Sequence, residues 1–153
     1  MPEAGQPAPD FNLPQDAGDA ISLAALKGAP VVLFFYPKAD TSGCTKEAVA
    51  FTGLLEAFGA AGVKVFGISK DPATKLAKFR AKHDLGVGLL SDAEGSVCED
   101  YGVWVEKSMY GKKYMGIERS TFLIGADGTL SEVWRKVKVP GHAEAVLDAV
   151  KAL

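Results

Sequence analysis

The sequence predicts an α/β protein with a central mixed β-sheet flanked by helices, and three patterns support this prediction. The apolar run 31–36 indicates a buried strand, and apolar residues at three- and four-residue steps from Ala48 to Phe58 indicate an amphipathic helix behind it. A second apolar strand at 62–69 precedes another helix, and this alternation favours parallel pairing. Late in the chain, two strand patterns flank Ala126-Asp127-Gly128, which is a strong signal for a β-hairpin.

The N-terminal segment is predicted to add a short hairpin to this core. Residues 8–14 form the first strand, residues 16–19 supply the turn, and residues 20–23 pair back as the second strand. A helical turn at 23–28, closed by a glycine, then connects the hairpin to the first strand of the main sheet.

The remaining elements complete the pattern of a thioredoxin-like fold. In order, they are a helix that opens at Asp71-Pro72, a strand at 88–91, a short helix at 92–101, a turn at 110–113, hairpin strands at 120–124 and 129–134, and a final helix after Pro140-Gly141. A βαβ half followed by a ββα half is a thioredoxin-like arrangement. We expect residues 1–153 to form one domain of this kind, with the N-terminal hairpin as an extension.

The composition of the chain disfavours several classes of function. A hydrophobic content of 48% over 153 residues is ample for one core, and a formal charge of −2 argues against nucleic acid or an anionic membrane as a partner. No secretory signal is visible, and no apolar run approaches the length of a membrane span. Two cysteines far apart in sequence indicate a reactive thiol in a reducing compartment, so we expect a cytoplasmic protein.

The stretch 34–47 is where we expect the chemistry. Pro37 has no backbone N–H to donate, so the strand must end there, and Thr41 or Ser42 is a candidate N-cap of the following helix. Cys44 therefore falls in the first turn of the helix, where unpaired amides and the helix dipole favour an anion. We expect Cys44 to be a nucleophilic thiolate rather than a small buried apolar residue.

The spacing Pro37-x-x-x-Thr41-x-x-Cys44 resembles the active-site signature of peroxiredoxins. The longer string Tyr36-Pro37-Lys38…Gly43-Cys44-Thr45-Lys46-Glu47-Ala48 is similar to the bacterioferritin-comigratory, or Q-type, subfamily, and the resemblance continues to the C-terminus. It implies a thioredoxin-like fold and a thiol-dependent peroxidase that reduces hydrogen peroxide and organic hydroperoxides. Thioredoxin or another small thiol is the expected reductant. No metal or organic cofactor is expected, and we expect a monomer or weak homodimer.

The resemblance also implies roles for individual residues. Cys44 supplies the sulfur, and Arg119, at the start of a late strand, holds the thiolate and one peroxide oxygen. The Thr41 hydroxyl and the amides around Gly43 and Cys44 contact the peroxide oxygens, while Pro37 shields the thiolate from solvent. Without the resemblance, Arg119 would be interpreted as an ordinary surface ion-pairing residue. Thr41 could be only a helix cap, but we expect its hydroxyl both to cap the helix and to donate to the substrate.

Three other ionisable side chains lie near the motif or attract attention as bases. Glu47 follows Cys44 by one helical turn, and its charge opposes a thiolate; we expect it to pair with Arg119 and orient the guanidinium. His83 and His142 lie outside the motif. We expect them to be a solvated helix end and a first-turn residue of the last helix, without a catalytic role.

Attack on peroxide leaves Cys44 as a sulfenic acid, which a second thiol must reduce. Many members of the subfamily carry this resolving cysteine five residues after the nucleophile, where this chain has Val49, or in the next helix, where residues 71–83 contain none. Only Cys98 remains, and we expect it to pack while an external thiol reduces Cys44. Two alternatives stay open: a thiol–disulfide oxidoreductase, disfavoured by the lack of a Cys-x-x-Cys motif, and a redox-silent thioredoxin-like binding module.

Overall fold

The computed structural model describes residues 2–153 and is built around a five-stranded mixed sheet with helices on both faces. The first half contains β1 (Asn12–Leu13), β2 (Ile21–Ser22), α1 (Leu23–Leu26), β3 (Val31–Phe35), α2 (Ser42–Gly53), α3 (Leu55–Ala60), β4 (Lys64–Ser69) and α4 (Ala73–His83). The second half contains β5 (Gly88–Ser91), α5 (Val97–Asp100), β6 (Trp104–Met109), β7 (Lys112–Ile117), β8 (Ser120–Ile124), β9 (Leu130–Trp134) and α6 (His142–Lys151).

The strand order of the main sheet is β5-β4-β3-β8-β9, with β3 at its centre. β3, β4 and β5 run parallel, whereas β8 is antiparallel to both β3 and β9. All five residues of β3 are buried, because the strand is paired on both edges and covered on both faces. This arrangement confirms the predicted thioredoxin-like fold, and the N-terminal hairpin forms as β1 and β2.

The two faces of the sheet carry separate hydrophobic cores, because successive side chains of a strand point to opposite faces. From β3, Val32 and Phe34 enter one core while Leu33 and Phe35 enter the other. Helices α2, α3, α4 and α6 cover the first core, and α1, α5 and the N-terminal hairpin cover the second. The catalytic candidates sit at the edge of the first core, where β3 ends.

The predicted helix from Ala48 to Phe58 is interrupted, so this expectation was wrong. α2 ends at Gly53, and the Leu54 N–H donates to the Phe51 carbonyl at 3.1 Å in a tightened last turn. Glycine lowers helix stability because it loses the most backbone freedom on folding, which explains a break at this point. The apolar stripe continues nonetheless, since Phe51 and Phe58 both reach the first core.

The predicted helix at 92–101 is shorter than expected and begins only at Val97. The Asp92 carboxylate accepts the amides of Val97 and Cys98 at 3.2 and 2.8 Å, so it satisfies the start of α5 from outside the helix. Residues 92–96 therefore lie outside the helix, and residues 93–95 form bends. α5 packs Cys98 fully inside the second core.

The β6–β7 hairpin was not predicted, since the sequence indicated only a turn at 110–113. Tyr110 and Gly111 have φ values of 51° and 77°, which are the left-handed conformations that a two-residue hairpin turn requires. Tyrosine is an unusual residue there, and most side chains of both strands are half-buried or exposed, so neither turn chemistry nor apolar alternation identifies the element. The hairpin forms its own two-stranded sheet beside the main one.

None of the helices within residues 2–153 has the length and apolar character that crossing a bilayer requires.

Candidate active site

Cys44 is held at the start of α2 by the strand–loop–helix connection that the sequence predicts. β3 ends at Phe35, residues 37–41 form a loop that we call the catalytic loop, and Cys44 is the third residue of α2. Its side chain is only 1% exposed. No acidic residue lies in the first turn of α2, so the partial positive charge at this helix end is not neutralised by its own side chains.

Thr41 occupies the N-cap position of α2, as predicted, but its side chain does not cap the helix. Its hydroxyl instead donates to the Lys38 carbonyl at 2.8 Å. The first amides of α2 therefore do not donate to the Thr41 hydroxyl and stay available to an approaching oxygen. Because the Thr41 proton is engaged, the hydroxyl oxygen presents its lone pairs outward and acts as an acceptor.

Arg119 reaches Cys44 because of how β8 pairs with β3. The register places Ser120 opposite Phe35, so the preceding residue, Arg119, lies beside the end of β3. Its backbone carbonyl accepts the Val137 N–H at 2.9 Å, which fixes the start of β8. Two residues 75 positions apart in sequence are thereby brought into contact.

The guanidinium of Arg119 makes two contacts at once. Nη2 donates to Cys44 Sγ at 3.3 Å, and Nη1 donates to Glu47 Oε1 at 2.7 Å. A Cβ added to Gly43 would lie only 3.2 Å from Nη2, so the absence of a side chain there lets the guanidinium pack against the helix start. Arg119 is therefore a fixed positive charge beside the sulfur and not a solvated surface residue.

Glu47 is almost fully buried, with 1% of its surface exposed. Burial raises the pKa of its carboxyl to about 7, although the Arg119 charge and hydrogen bond act in the opposite direction. Within residues 2–153 its second oxygen, Oε2, has no hydrogen-bond partner. The expected pairing of Glu47 with Arg119 is present, and the pair places a carboxyl that titrates near neutral pH one helical turn from Cys44.

Glu47→Gln is expected to move the pH midpoint of Cys44 alkylation downward. In the native protein, raising the pH through about 7 ionises Glu47, and the new negative charge opposes formation of the nearby thiolate. Glutamine keeps an acceptor for Arg119 Nη1 but never acquires the charge. The measurement is the rate of iodoacetamide modification from about pH 5 to about pH 10, which covers the raised pKa of Glu47, about 7, and the ordinary pKa of a thiol.

A matched control is Glu56→Gln, which changes an exposed carboxylate on α3 and should leave the alkylation profile unchanged. An upward movement of the midpoint in Glu47→Gln would mean that the charge of Glu47 is needed to hold Arg119 against the sulfur. That result would contradict the expectation that the negative charge of Glu47 disfavours the Cys44 thiolate.

The two histidines are engaged elsewhere. His83, the last residue of α4, has its Nε2 2.7 Å from Asp40 Oδ1. His142 is the first residue of α6, as predicted, and its Nε2 lies 2.7 Å from Thr121 Oγ1. Burial, aided by the positive charge of Arg119, lowers the pKa of His142 to about 4, so this ring is neutral at physiological pH.

A groove of about 490 Å³ adjoins the catalytic loop, and it involves residues that the sequence patterns did not indicate. One side is formed by Pro37 and Thr41, and the other by the β6–β7 hairpin through Trp104, Lys107, Met109, Tyr114 and Met115. Four large apolar side chains of this hairpin are exposed, namely Met109, Tyr110, Tyr114 and Met115. Pro37 thus lies beside Thr41 at the rim of the site, which is compatible with its expected shielding role.

Cys98 lies far from this arrangement in terms of the fold. Cys44 belongs to the first core and Cys98 to the second, on opposite faces of the central sheet. Burial, reinforced by the neighbouring Asp92 carboxylate, raises the pKa of the Cys98 thiol well above its ordinary value. Cys98 is therefore a protonated, packed thiol.

Within residues 2–153, no group of three or more histidine, cysteine, aspartate or glutamate side chains is arranged to hold a metal ion. Cys44, Arg119 and the start of α2 together support a different chemistry. They form an activated sulfur nucleophile with a fixed cation and free helix amides around it.

The fold and site together define a class of protein: a thioredoxin-like domain with a buried cysteine at a helix start beside a fixed arginine. Comparison with known proteins gives the same class. The model of the AhpC/TSA family matches residues 4–133. A putative peroxiredoxin bcp of Coxiella burnetii is 53% identical over 145 residues, covering 95% of this chain and 96% of that protein. Peroxiredoxin Bcp of Escherichia coli K12 is 44% identical over 149 residues, covering 97% of this chain and 96% of that protein.

Solved structures extend the comparison to three dimensions. Xanthomonas campestris peroxiredoxin Q has a TM-score of 0.91 and 43% identity, and the match covers 97% of both chains. The bacterioferritin comigratory protein of the same organism, studied for its alkyl peroxide reduction activity, has a TM-score of 0.91 at 42% identity over 98% of both chains. The chain belongs to the AhpC/TSA family and, within it, to the peroxiredoxins of the Bcp or Q type. It is a thiol peroxidase, which decides against a redox-silent binding module and a thiol–disulfide oxidoreductase.

Proposed function

We propose that Cys44 is the peroxide-reducing nucleophile and that Arg119, Thr41 and Pro37 form its active site. The observation that carries this proposal is the double contact of Arg119, which donates to Cys44 Sγ at 3.3 Å and to Glu47 Oε1 at 2.7 Å. Because the guanidinium is hydrogen-bonded to both Cys44 and Glu47, its position is fixed. It can therefore stabilise the negative charge that develops on the peroxide oxygens during the reaction.

In the first step, the Cys44 thiolate attacks one oxygen of the peroxide. The S–O bond forms as the O–O bond breaks, and the electron pair of the O–O bond leaves on the distal oxygen, which is protonated to water or an alcohol. Cys44 becomes a sulfenic acid and is oxidised by two electrons, while the peroxide is reduced by two. Arg119 and the first amides of α2 stabilise the oxygens as negative charge develops.

Thr41 orients the substrate in this scheme. Its hydroxyl donates to the Lys38 carbonyl, which leaves the oxygen as an acceptor for the O–H of a hydroperoxide. The peroxide proton is thus directed to Thr41, while the oxygens face the donors of Arg119 and the helix. Pro37, beside Thr41 at the groove rim, limits access of water to the sulfur.

A direct experiment tests the proposed function without a reductant. The reduced protein should consume one equivalent of hydrogen peroxide, and prior alkylation of its thiols should abolish this consumption. Peroxide consumption that survives complete alkylation would contradict the proposal. Parallel measurements with hydrogen peroxide and an organic hydroperoxide would define the range of substrates.

We further propose that an external thiol, thioredoxin or a small thiol, reduces the sulfenic acid. Cys98 is 0% exposed and belongs to the opposite core, and a disulfide needs two α-carbons within about 7 Å. The external thiolate attacks the Cys44 sulfur, and a mixed disulfide forms as the S–O bond breaks. The oxygen leaves as hydroxide, which takes up a proton from solvent to become water. A second thiol then attacks the sulfur of the reductant in this mixed disulfide. Cys44 is released as a thiolate, and the second thiol and the reductant leave as a disulfide.

Cys98→Ser is expected to retain most of the peroxidase turnover, because Cys98 serves packing and not resolution. The measurement is steady-state turnover coupled to thioredoxin and its reductase. Since serine places a hydroxyl in an apolar core, Cys98→Ala provides a second variant that avoids this cost. Loss of thioredoxin-dependent turnover in both variants, with unchanged peroxide consumption in the first cycle, would identify Cys98 as the resolving residue.

The remaining proposals concern the setting of this activity. We propose a cytoplasmic location, because the cycle requires a supply of reduced thiols. We propose that residues 1–153 act as one domain, since α6 adds Val146 and Val150 to the first core beyond the segment matched by the family model. A monomer or weak homodimer is the expected assembly, which sedimentation at several protein concentrations would test.

A further inference from the structure

A buried carboxylate outside the catalytic loop contacts the peptide group on which Thr41 depends. Asp71 follows the end of β4 by two residues and is 9% exposed. Its Oδ2 accepts the Ala39 N–H at 2.7 Å and the Ser69 hydroxyl at 2.8 Å. Within residues 2–153, no lysine, arginine or histidine lies within ion-pair distance of this carboxylate.

The Ala39 N–H and the Lys38 carbonyl belong to the same peptide group. Asp71 binds the N–H end of that group, and Thr41 donates to its carbonyl end at 2.8 Å. Hydrogen bonds at the two ends of an amide strengthen each other, because each polarises the group in the same direction. A charged acceptor at the N–H end also fixes the orientation of the peptide plane.

Asp71 is itself held rigidly. Its backbone carbonyl accepts the Ser91 hydroxyl at 2.7 Å, and its N–H donates to Ser69 Oγ at 3.3 Å. These contacts tie the carboxylate to the ends of β4 and β5, so its position is set by the main sheet. The catalytic loop is therefore anchored to the sheet through one peptide group.

We propose that Asp71 is a positioning residue for peroxide reduction, acting through the 38–39 peptide to hold the Thr41 hydroxyl in its acceptor orientation. This inference rests on the proposed function of Thr41. Asp71 also lines the groove beside the catalytic loop, but its hydrogen bonds go to Ala39, Ser69 and Ser91 and not to Cys44. Its effect is to keep the Thr41 hydroxyl donating to the Lys38 carbonyl. The Thr41 oxygen is then free to accept a hydrogen bond from the peroxide O–H.

The test is a double-mutant cycle between Asp71 and Thr41, read out as the second-order rate constant of hydrogen peroxide attack measured by competition with a haem peroxidase. Asp71→Ala is expected to slow attack on the order of tenfold, as for the loss of one charge-assisted hydrogen bond. In a Thr41→Val background the same change should have little effect, because the hydroxyl that it orients is already absent. A purely structural role would slow both backgrounds equally.

Asp71→Asn provides a second variant should the alanine variant fold poorly. The amide oxygen keeps the bonds to Ala39 and Ser69 but lacks the charge, so we expect a smaller slowing, again only where Thr41 is present. Asp148→Asn is the matched control, because Asp148 is an exposed carboxylate on α6, outside the catalytic loop. Its attack rate should equal that of the unmodified protein.

The outcomes separate the role of Asp71 from that of Thr41. Equal slowing by the Asp71 variants with and without Thr41, or no slowing in the otherwise native protein, would overturn the role of Asp71 while leaving Thr41 in the site. An unchanged rate in Thr41→Val alone would overturn the proposed role of Thr41, and the inference on Asp71 with it.

Discussion

Replacement of Cys44 by serine is expected to abolish peroxide turnover while leaving the fold intact. A serine hydroxyl is not ionised near neutral pH, and both histidines are engaged elsewhere and cannot act as its base, so the first displacement cannot proceed. Serine is close in size to cysteine, and Cys44 lies at the edge of the first core, where a helix amide or Arg119 can satisfy the hydroxyl. The measurement is thioredoxin-coupled turnover together with circular dichroism.

Cys98→Ser is the matched control for this variant, because it removes the other thiol and should keep turnover. Turnover of Cys44→Ser at a rate near that of the unmodified protein would place the nucleophile elsewhere. Cys98 would then be the only remaining thiol, and the assignment of the active site to the start of α2 would fail.

Replacement of Arg119 by alanine is expected to slow peroxide attack on the order of a hundredfold or more, as for removal of one fixed donor to a developing negative charge. The variant should also move the pH profile of Cys44 alkylation upward, because the loss of a cation 3.3 Å from the sulfur disfavours the thiolate. Both effects are measurable on the same protein, by peroxide competition kinetics and by iodoacetamide modification. Buried Glu47 would be left without its cation, so thermal unfolding should be recorded in parallel.

Arg119→Lys tests the double contact specifically. Lysine keeps the positive charge but lacks the planar fork that reaches Cys44 and Glu47 together, so we expect peroxide attack to stay well below the native rate. Arg80→Lys, which alters the ion pair with Asp16 away from the site, is the control and should react normally. If the lysine variant reacts at the full native rate, only the positive charge of Arg119 matters and its double contact with Cys44 and Glu47 is not needed.

The position of Cys44 could be predicted from the sequence because the signal is local. An apolar strand, a proline and a helix start lie within a few residues, and local rules determine their order. Arg119 could be placed only through the family resemblance, since its contact with Cys44 depends on the antiparallel register of β8 on β3. The pairing of Glu47 with Arg119 could be predicted because an unpaired Glu47 charge one helical turn from Cys44 would oppose the thiolate. The structure contains this pair.

Other features of the site could not be predicted from local patterns. The bond from Thr41 to Lys38 depends on loop geometry, and the sequence indicated a helix cap at the same residue. The β6–β7 hairpin forms one wall of the groove, yet its turn carries none of the usual turn residues at its first position. The placement of Cys98 on the opposite face required knowing which side of the sheet each helix covers.

The most direct test of Cys44 as the peroxide-reducing nucleophile is the mass of the protein after one equivalent of hydrogen peroxide, with and without a sulfenic acid trap such as dimedone. We expect the mass of one added oxygen atom, or one dimedone adduct, with peptide mapping to Cys44 alone. A loss of two hydrogens together with a cross-linked Cys44–Cys98 peptide would contradict the one-cysteine mechanism. An adduct on any residue other than Cys44 would contradict the site itself.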